Sequence, residues 1–179
     1  MSPRTWGSLA AVLFVLLSLS APASASRGTP GKTITAVNAL EGGVLGEINA
    51  LRGRHGLVSL RLSARLSGAA DGHSQAMATR GFFRHESADG SAFWKRLQRF
   101  YDAKGFGYWA VGENLLWASP SVEPSKALQM WLDSPPHRKN LLDPKWREIG
   151  LSAVHAVAAP GTFSGMDVTI LTADFGVRQ

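Results

Sequence analysis

From Val44 onward, apolar residues recur first at steps of three and four and then, near the C-terminus, at steps of two. Leu45, Ile48, Leu51 and Arg52 mark a helical face that begins near Val44 and closes at His55-Gly56, where glycine accepts a left-handed C-terminal conformation. Leu62, Leu66, Ala69, Ala70, His73 and Met77 predict a second helix, stopped by Gly81. Asp89-Gly90-Ser91 supplies a turn and an N-cap for a third, whose Phe93, Trp94, Leu97, Phe100 and Tyr101 read as a core stripe closed by Gly105. Val111 to Trp117 is short, apolar and bounded by turn residues, which predicts a strand. Pro124 suits the first position of a helix carrying Leu128, Trp131 and Leu132. Pro135-Pro136 must end that helix, and Ser134 fits as N-cap of a short successor with His137 at its third position.

The period then changes. Ile149, Leu151, Ala153, His155 and Val157 alternate with Gly150, Ser152, Val154 and Ala156, and after a loop Asp167 to Val177 predicts a second strand of the same kind. The two are expected to pair antiparallel. Both are apolar on both faces, so helices should cover each side, giving an α/β/α three-layer sandwich around a central, mainly antiparallel sheet.

The start of the chain has a different character. Arg4, the apolar run Leu9 to Leu19 and Ala23-Ser24-Ala25 together fit a cleaved export signal over residues 1–25, and hence a secreted protein. The run is well short of the roughly 20 residues a membrane-spanning helix needs, so no transmembrane span is expected after cleavage. Residues 26–43, rich in Gly, Pro, Thr and Ala, read as a tether, and 44–179 as one domain. The chain has no cysteine, which excludes disulfides, thiolate zinc sites and cysteine nucleophiles. Its +6 charge is scattered rather than clustered, and no nucleic-acid platform stands out.

Three residues carry candidate chemistry. Glu113 interrupts an apolar strand and must face a pocket or a partner, because burying a lone carboxylate is expensive. His137, in the first turn of a helix, is held neutral by the positive end of the helix dipole, the form that binds metal. His85 lies in a loop-like stretch after Phe82-Phe83-Arg84 and is free to point into a cleft. Two imidazoles and an acid are the groups from which a divalent metal site or a proton-transfer site is made. The other histidines read as structural: His73 as a hydrogen-bonded core residue, His55 on a last helical turn and His155 at a strand rim.

The order and spacing of several motifs resemble the CAP superfamily, also called the SCP or cysteine-rich secretory protein family, in its bacterial cysteine-free branch. The resemblance covers about residues 44 to 176. It rests on Arg52-Gly53-Arg54-His55-Gly56-Leu57, Phe82-Phe83-Arg84-His85, Gly112-Glu113-Asn114-Leu115, Trp131-Leu132-Asp133-Ser134-Pro135-Pro136-His137-Arg138, Ile149-Gly150-Leu151 and Asp174-Phe175-Gly176. It implies an α/β/α sandwich with a surface cleft holding two histidines and two acids, onto which His85, Glu113 and His137 map. The position of the fourth member is Ser134. Asp133 is adjacent but about 100° round a helix, and Glu86, which follows His85, reads as a surface charge.

The resemblance further implies a divalent metal such as zinc at His85 and His137, with Glu113 orienting water or holding a histidine. Two functions follow as expectations. One is a secreted binding domain whose cleft, or a neighbouring apolar groove, engages a lipid or a cell-envelope component. The other is a metal-dependent, peptidase-like hydrolase with Glu113 as the catalytic base. The second lacks a His-Glu-x-x-His helix and a third ligand.

Overall fold

The computed structural model describes residues 33–179. The expected export signal lies outside these residues. In chain order they form β1 (Ile34–Ala36), α1 (Asn38–Arg54), β2 (Arg61–Leu62), α2 (Ala64–Arg80), α3 (Phe93–Phe100), β3 (Trp109–Ala118), α4 (Pro124–Asp133), α5 (Pro135–Leu142), β4 (Glu148–Ala156), a 3₁₀ turn (Gly161–Phe163) and β5 (Val168–Arg178). The sheet runs β1-β4-β5-β3, with the short β2 parallel to the start of β4 and every other pair antiparallel. β4 and β5 are the inner strands, as their apolar alternation predicts, and β3 is an edge.

The strand period divides the core in two. Ile149, Leu151, Leu171, Ala173 and Phe175 face α1, α4 and α5, where Val44, Ile48, Leu128, Trp131 and Leu141 are buried against them. Val154, Val168 and Ile170 face the other layer, with Met77 and Phe82 from the end of α2. Leu66 and Ala69 of α2 pack on Leu97 and Tyr101, so α3 extends that layer sideways. The three-layer α/β/α sandwich is therefore present.

α2 lies unusually close to the sheet, for a reason visible in its composition. It carries Gly68, Ala69, Ala70 and Gly72 in succession around Leu66 and His73, and it meets glycine on the strand side. A β-carbon on Gly150 would come within 2.1 Å of the Leu66 carbonyl carbon and 2.2 Å of the Ser67 nitrogen. Between these contacts, Ser74 and Thr172 share a buried hydroxyl–hydroxyl bond of 2.8 Å. His73 is buried and donates Nε2–H to the Arg84 carbonyl at 2.9 Å, the satisfied core histidine the sequence predicts. That bond also secures the loop leading to His85.

Several details depart from the sequence expectations. Order begins before Val44: β1 pairs with β4 and α1 starts at Asn38, so the later part of the expected tether belongs to the domain. Glycine at positions 42 and 43 masks the helical period there, although Leu40 is buried in the core. Leu62 lies in β2 and is exposed, so the second helical face starts at Leu66. Trp94 and Phe100 of the expected core stripe are 41% and 44% exposed, because α3 turns Arg96 and Leu97 inward instead. α3 is capped by Ala92, one residue after Ser91.

Gly150→Ala should cost about 3 kcal/mol or more, because backbone atoms cannot yield to the new methyl. Gly46→Ala, in open space on α1, should be stabilising by up to about 1 kcal/mol; urea unfolding of both variants measures the contrast. A second expectation concerns His73, whose pKa burial lowers to about 4 from 6.5. The folded state refuses a proton that the unfolded chain accepts, so stability falls as pH drops from about 6.5 toward 4, by roughly 3 kcal/mol in all. Unfolding curves across that window should show most of this slope vanish in His73→Gln.

Candidate functional site

The site forms at the outer edge of β3, where the two helical layers meet. Because side chains alternate along a strand, Glu113 faces the α2–α3 layer while its neighbours Gly112 and Asn114 face α5. Each part of Gly112-Glu113-Asn114 has its own reason. A β-carbon at Gly112 would strike the Trp146 ring at 2.8 Å. Asn114 donates to the His137 carbonyl at 3.1 Å, and Asn140 of α5 donates to Asn114 Oδ1 at 2.9 Å and to the Glu113 carbonyl at 3.1 Å. These bonds bind α5 to the strand edge and fix where His137 starts from.

The Glu113 side chain is buried, and both of its oxygens are engaged. His85 donates Nδ1–H to Oε1 at 2.8 Å, and Arg96 of α3 donates to Oε2. Arg96 also donates to the His85 carbonyl at 3.2 Å and the Ser87 hydroxyl at 3.1 Å, so one guanidinium clamps both the carboxylate and the loop that carries the imidazole. With Nδ1 occupied, Nε2 is the nitrogen His85 has left to offer.

His85, Glu113 and His137 line one cavity of about 460 Å³, together with Glu86, Phe93 and Asn140. Ser134 is not on it. It borders an adjoining apolar groove of about 240 Å³ with Phe83, Leu115, Trp117, Met130 and His137, the last lining both. Ser134 does occupy the N-cap of α5, but its hydroxyl makes no capping bond. Asp133 accepts from Gln129 at 2.7 Å, along its own helix, and supplies no fourth acid.

The two imidazoles differ electrostatically. The hydrogen bond to Glu113 raises the His85 pKa, against the opposing effect of burial. Burial lowers that of His137, and the charge of His85 adds to it. The neutral form expected for His137 is thus supported by burial rather than by the helix end.

Two residues at the site escape a reading from sequence. Arg96 stands between Lys95 and Arg99 in the same short helix, and nothing in the sequence marks it apart from those exposed cations. Asp174 carried a signal, as an acid in the alternation of an inner strand. It is opposite Glu113 in the β3–β5 register, fully buried, and no hydrogen bond reaches either of its oxygens. Burial, and then the charge of Glu113, push its pKa well above the ordinary carboxylate value. The surroundings of Asp174, beside the ion-paired Glu113, therefore favour its protonated form.

The profile of CAP, the cysteine-rich secretory protein family, matches residues 45–164. The chain belongs to this family. Among curated proteins, this CAP chain is 31% identical over 137 residues to the uncharacterized protein YkwD of Bacillus subtilis, covering 76% of the chain and 51% of that protein. It thus spans about half the length of that relative. Among solved structures it is similar to an extracellular protein containing an SCP domain from Bacillus anthracis, at 30% identity and TM-score 0.59, covering 79% of this chain and 41% of that one. An outer surface protein of Borrelia burgdorferi shares the fold, at TM-score 0.61 and 19% identity, over 82% of this chain and 100% of that one.

The neutrality of Asp174 sets a testable sign. Its raised pKa gives stability below the unfolded value near 3.8 that is lost as pH rises toward the folded value. Asp174→Asn should therefore be more stable than the parent at neutral pH. The gap should close toward pH 4 with a slope approaching 1.4 kcal/mol per unit, as read from denaturation curves at several pH values.

Proposed function

We propose that this CAP chain is an exported binding domain whose cleft holds a ligand through His85 and His137 and does not hydrolyse it. The observation that carries this reading is the engagement of both Glu113 oxygens, by His85 and Arg96. A carboxylate paired with a buried guanidinium is a poor general base, because the guanidinium stabilises its charged form and weakens its pull on a proton. Held this way, Glu113 sets the tautomer and orientation of His85, the role a carboxylate plays behind a metal-bound imidazole.

The donor set fits a loosely held divalent ion. Two imidazoles with solvent are a minimal set, and among the described residues no three His, Cys, Asp or Glu side chains cluster in a way that could hold a metal. An ion there would supply a Lewis-acidic anchor for a polar ligand group. The apolar groove that shares His137 supports an amphipathic ligand, such as a lipid or an envelope component, with its polar end at the imidazoles. Export is supported by the apolar run at Leu9 to Leu19 and by relatives described as extracellular or outer surface proteins. No described helix is long and apolar enough to cross a membrane.

Calorimetric titration with zinc should show one weak site, at least tenfold weaker in His137→Ala and little changed in Glu86→Gln. Binding should weaken as pH falls and the imidazoles take up protons. Mass spectrometry of molecules carried through purification should find an amphipathic compound, absent from a variant with Met130→Arg at the groove. Peptide or ester turnover that disappears in Glu113→Gln would reverse the proposal in favour of a hydrolase.

A further inference from the structure

The exposed aromatic residues of this protein are not scattered. Trp94, Phe100, Phe106 and Tyr108 are the exposed large aromatics among the described residues, and all four fall within α3 and the turn that follows it. Exposed Leu62 joins them, because β2 pairs with the start of β4 at Glu148, where the Tyr101 hydroxyl donates to the Glu148 carboxylate. Isolated exposed apolar side chains need no explanation, but five at one end of a small domain do.

The same end is basic. Lys95, Arg99 and Lys104 are exposed between the aromatics. Arg61 and Arg65 are exposed on the neighbouring β2–α2 segment, and the Phe100 ring packs 3.4 Å from where a β-carbon of Gly68 would stand, one helical turn from Arg65. The acids nearby are fewer: Asp102, Asp89 opposite Arg99, and Glu148, which already accepts from Tyr101.

The platform is also rigid. The Arg178 guanidinium lies between the Tyr101 and Phe106 rings, 3.9 and 4.8 Å from their centroids. Trp109 Nε1 donates to the Tyr101 carbonyl at 2.6 Å, and the backbone of Tyr108 pairs with Gln179. Tyr101 itself is fully buried. The aromatic tips are thus held outward by a fixed base, and little ordering entropy is left to lose on contact.

We propose that this face docks on an anionic lipid bilayer, with Trp94 and Phe100 among the headgroups and Lys95, Arg99 and Lys104 over the phosphates. Aromatic rings favour the boundary between water and hydrocarbon. Each nearby Lys or Arg gains about 1 kcal/mol against an anionic leaflet. Both features are required: charge alone would suit any polyanion, whereas exposed indole and phenyl rings set among the cations suit a surface with an apolar interior. The cleft reading is independent of this one, since neither Trp94 nor Phe100 lines the cavity.

The test uses the mature chain from Ser26 onward, without the apolar run of the export signal, and vesicles of phosphatidylcholine with and without phosphatidylglycerol. Sedimentation should show stronger binding to the anionic vesicles. Replacing Lys95, Arg99 and Lys104 together by Gln, exposed sites that should leave the fold intact, should weaken it on the order of 100-fold. Lipids brominated in the acyl chains should quench tryptophan emission, and the quenched fraction should fall in Trp94→Phe although that variant still binds. Three results would overturn the proposal: a triple variant that binds anionic vesicles as well as the parent, a quenched fraction unchanged by Trp94→Phe, or binding to soluble polyphosphate without binding to vesicles. Any of these would leave the face without a role at a bilayer.

Discussion

A carboxylate in the face of a sheet has to be matched on every oxygen, and the site of this protein is arranged around that demand. Desolvating Glu113 without partners would cost several kcal/mol even after relaxation. The structure answers with one donor from each side: an imidazole from the loop after α2 and a guanidinium from α3. Those two donors come from segments that His73 and Leu97 already hold against the sheet. The conformation of the 81–92 loop and the inward turn of Arg96 answer one buried negative charge, and that charge adds to burial in raising the Asp174 pKa. Asp174 shows the same rule from the other side, since no donor meets either of its oxygens and burial raises its pKa.

Close packing sets the distances over which this network acts. Glycine at 150 lets the backbone of α2 approach β4, and glycine at 112 lets Trp146 and Asn140 approach β3 from the opposite layer. The edge strand therefore presents Glu113 to one layer and its backbone to the other. Asn140 and Trp131 donate to the carbonyls of Glu113 and Leu115, the latter at 3.0 Å, so the edge is covered by side chains where a free edge would invite another strand. The cleft is the gap between these two coverings, and this is why residues far apart in sequence share it.

What could be read from the sequence follows the range of the interaction involved. The antiparallel pairing of β4 and β5, the helix stops at Gly56 and Gly81, and the break at Pro135-Pro136 depend on local periodicity and backbone chemistry, and they appear as expected. His85, Glu113 and His137 reach one cavity. The Arg96 ion pair was not legible, because a cation within an aromatic helix reads as a solvated residue until the tertiary partner is known. Asp174 stood out as an acid in an inner strand, but its place opposite Glu113 was not legible, since that register depends on pairing two strands distant in sequence. The aromatic stripe misled for a related reason: Phe93, Trp94, Leu97 and Phe100 at helical spacing do predict burial, but a helix lying at the margin of a layer buries one face only. At Ser134, helix-start chemistry was the better guide to position, although proline at the second helical residue removes one of the N–H groups a capping hydroxyl would meet.

α3 connects the buried acid to the surface, because its faces carry different loads. Arg96 and Leu97 point inward and hold Glu113 and the Tyr101 cluster, Phe93 borders the cleft beside His85, and Trp94, Lys95 and Arg99 look outward. The helix has only eight residues and makes few backbone bonds of its own, so its position rests on the side chains it sends inward. Arg96 pairs with Glu113 and also holds the loop of His85. The ionic bond that neutralises the buried acid thus also determines where the outward aromatic face stands relative to the mouth of the cleft. A ligand entering at Phe93 would meet the imidazoles within a few residues of the surface that carries the exposed rings, so cleft and face form two sides of one short helix, both positioned by the charge on Glu113.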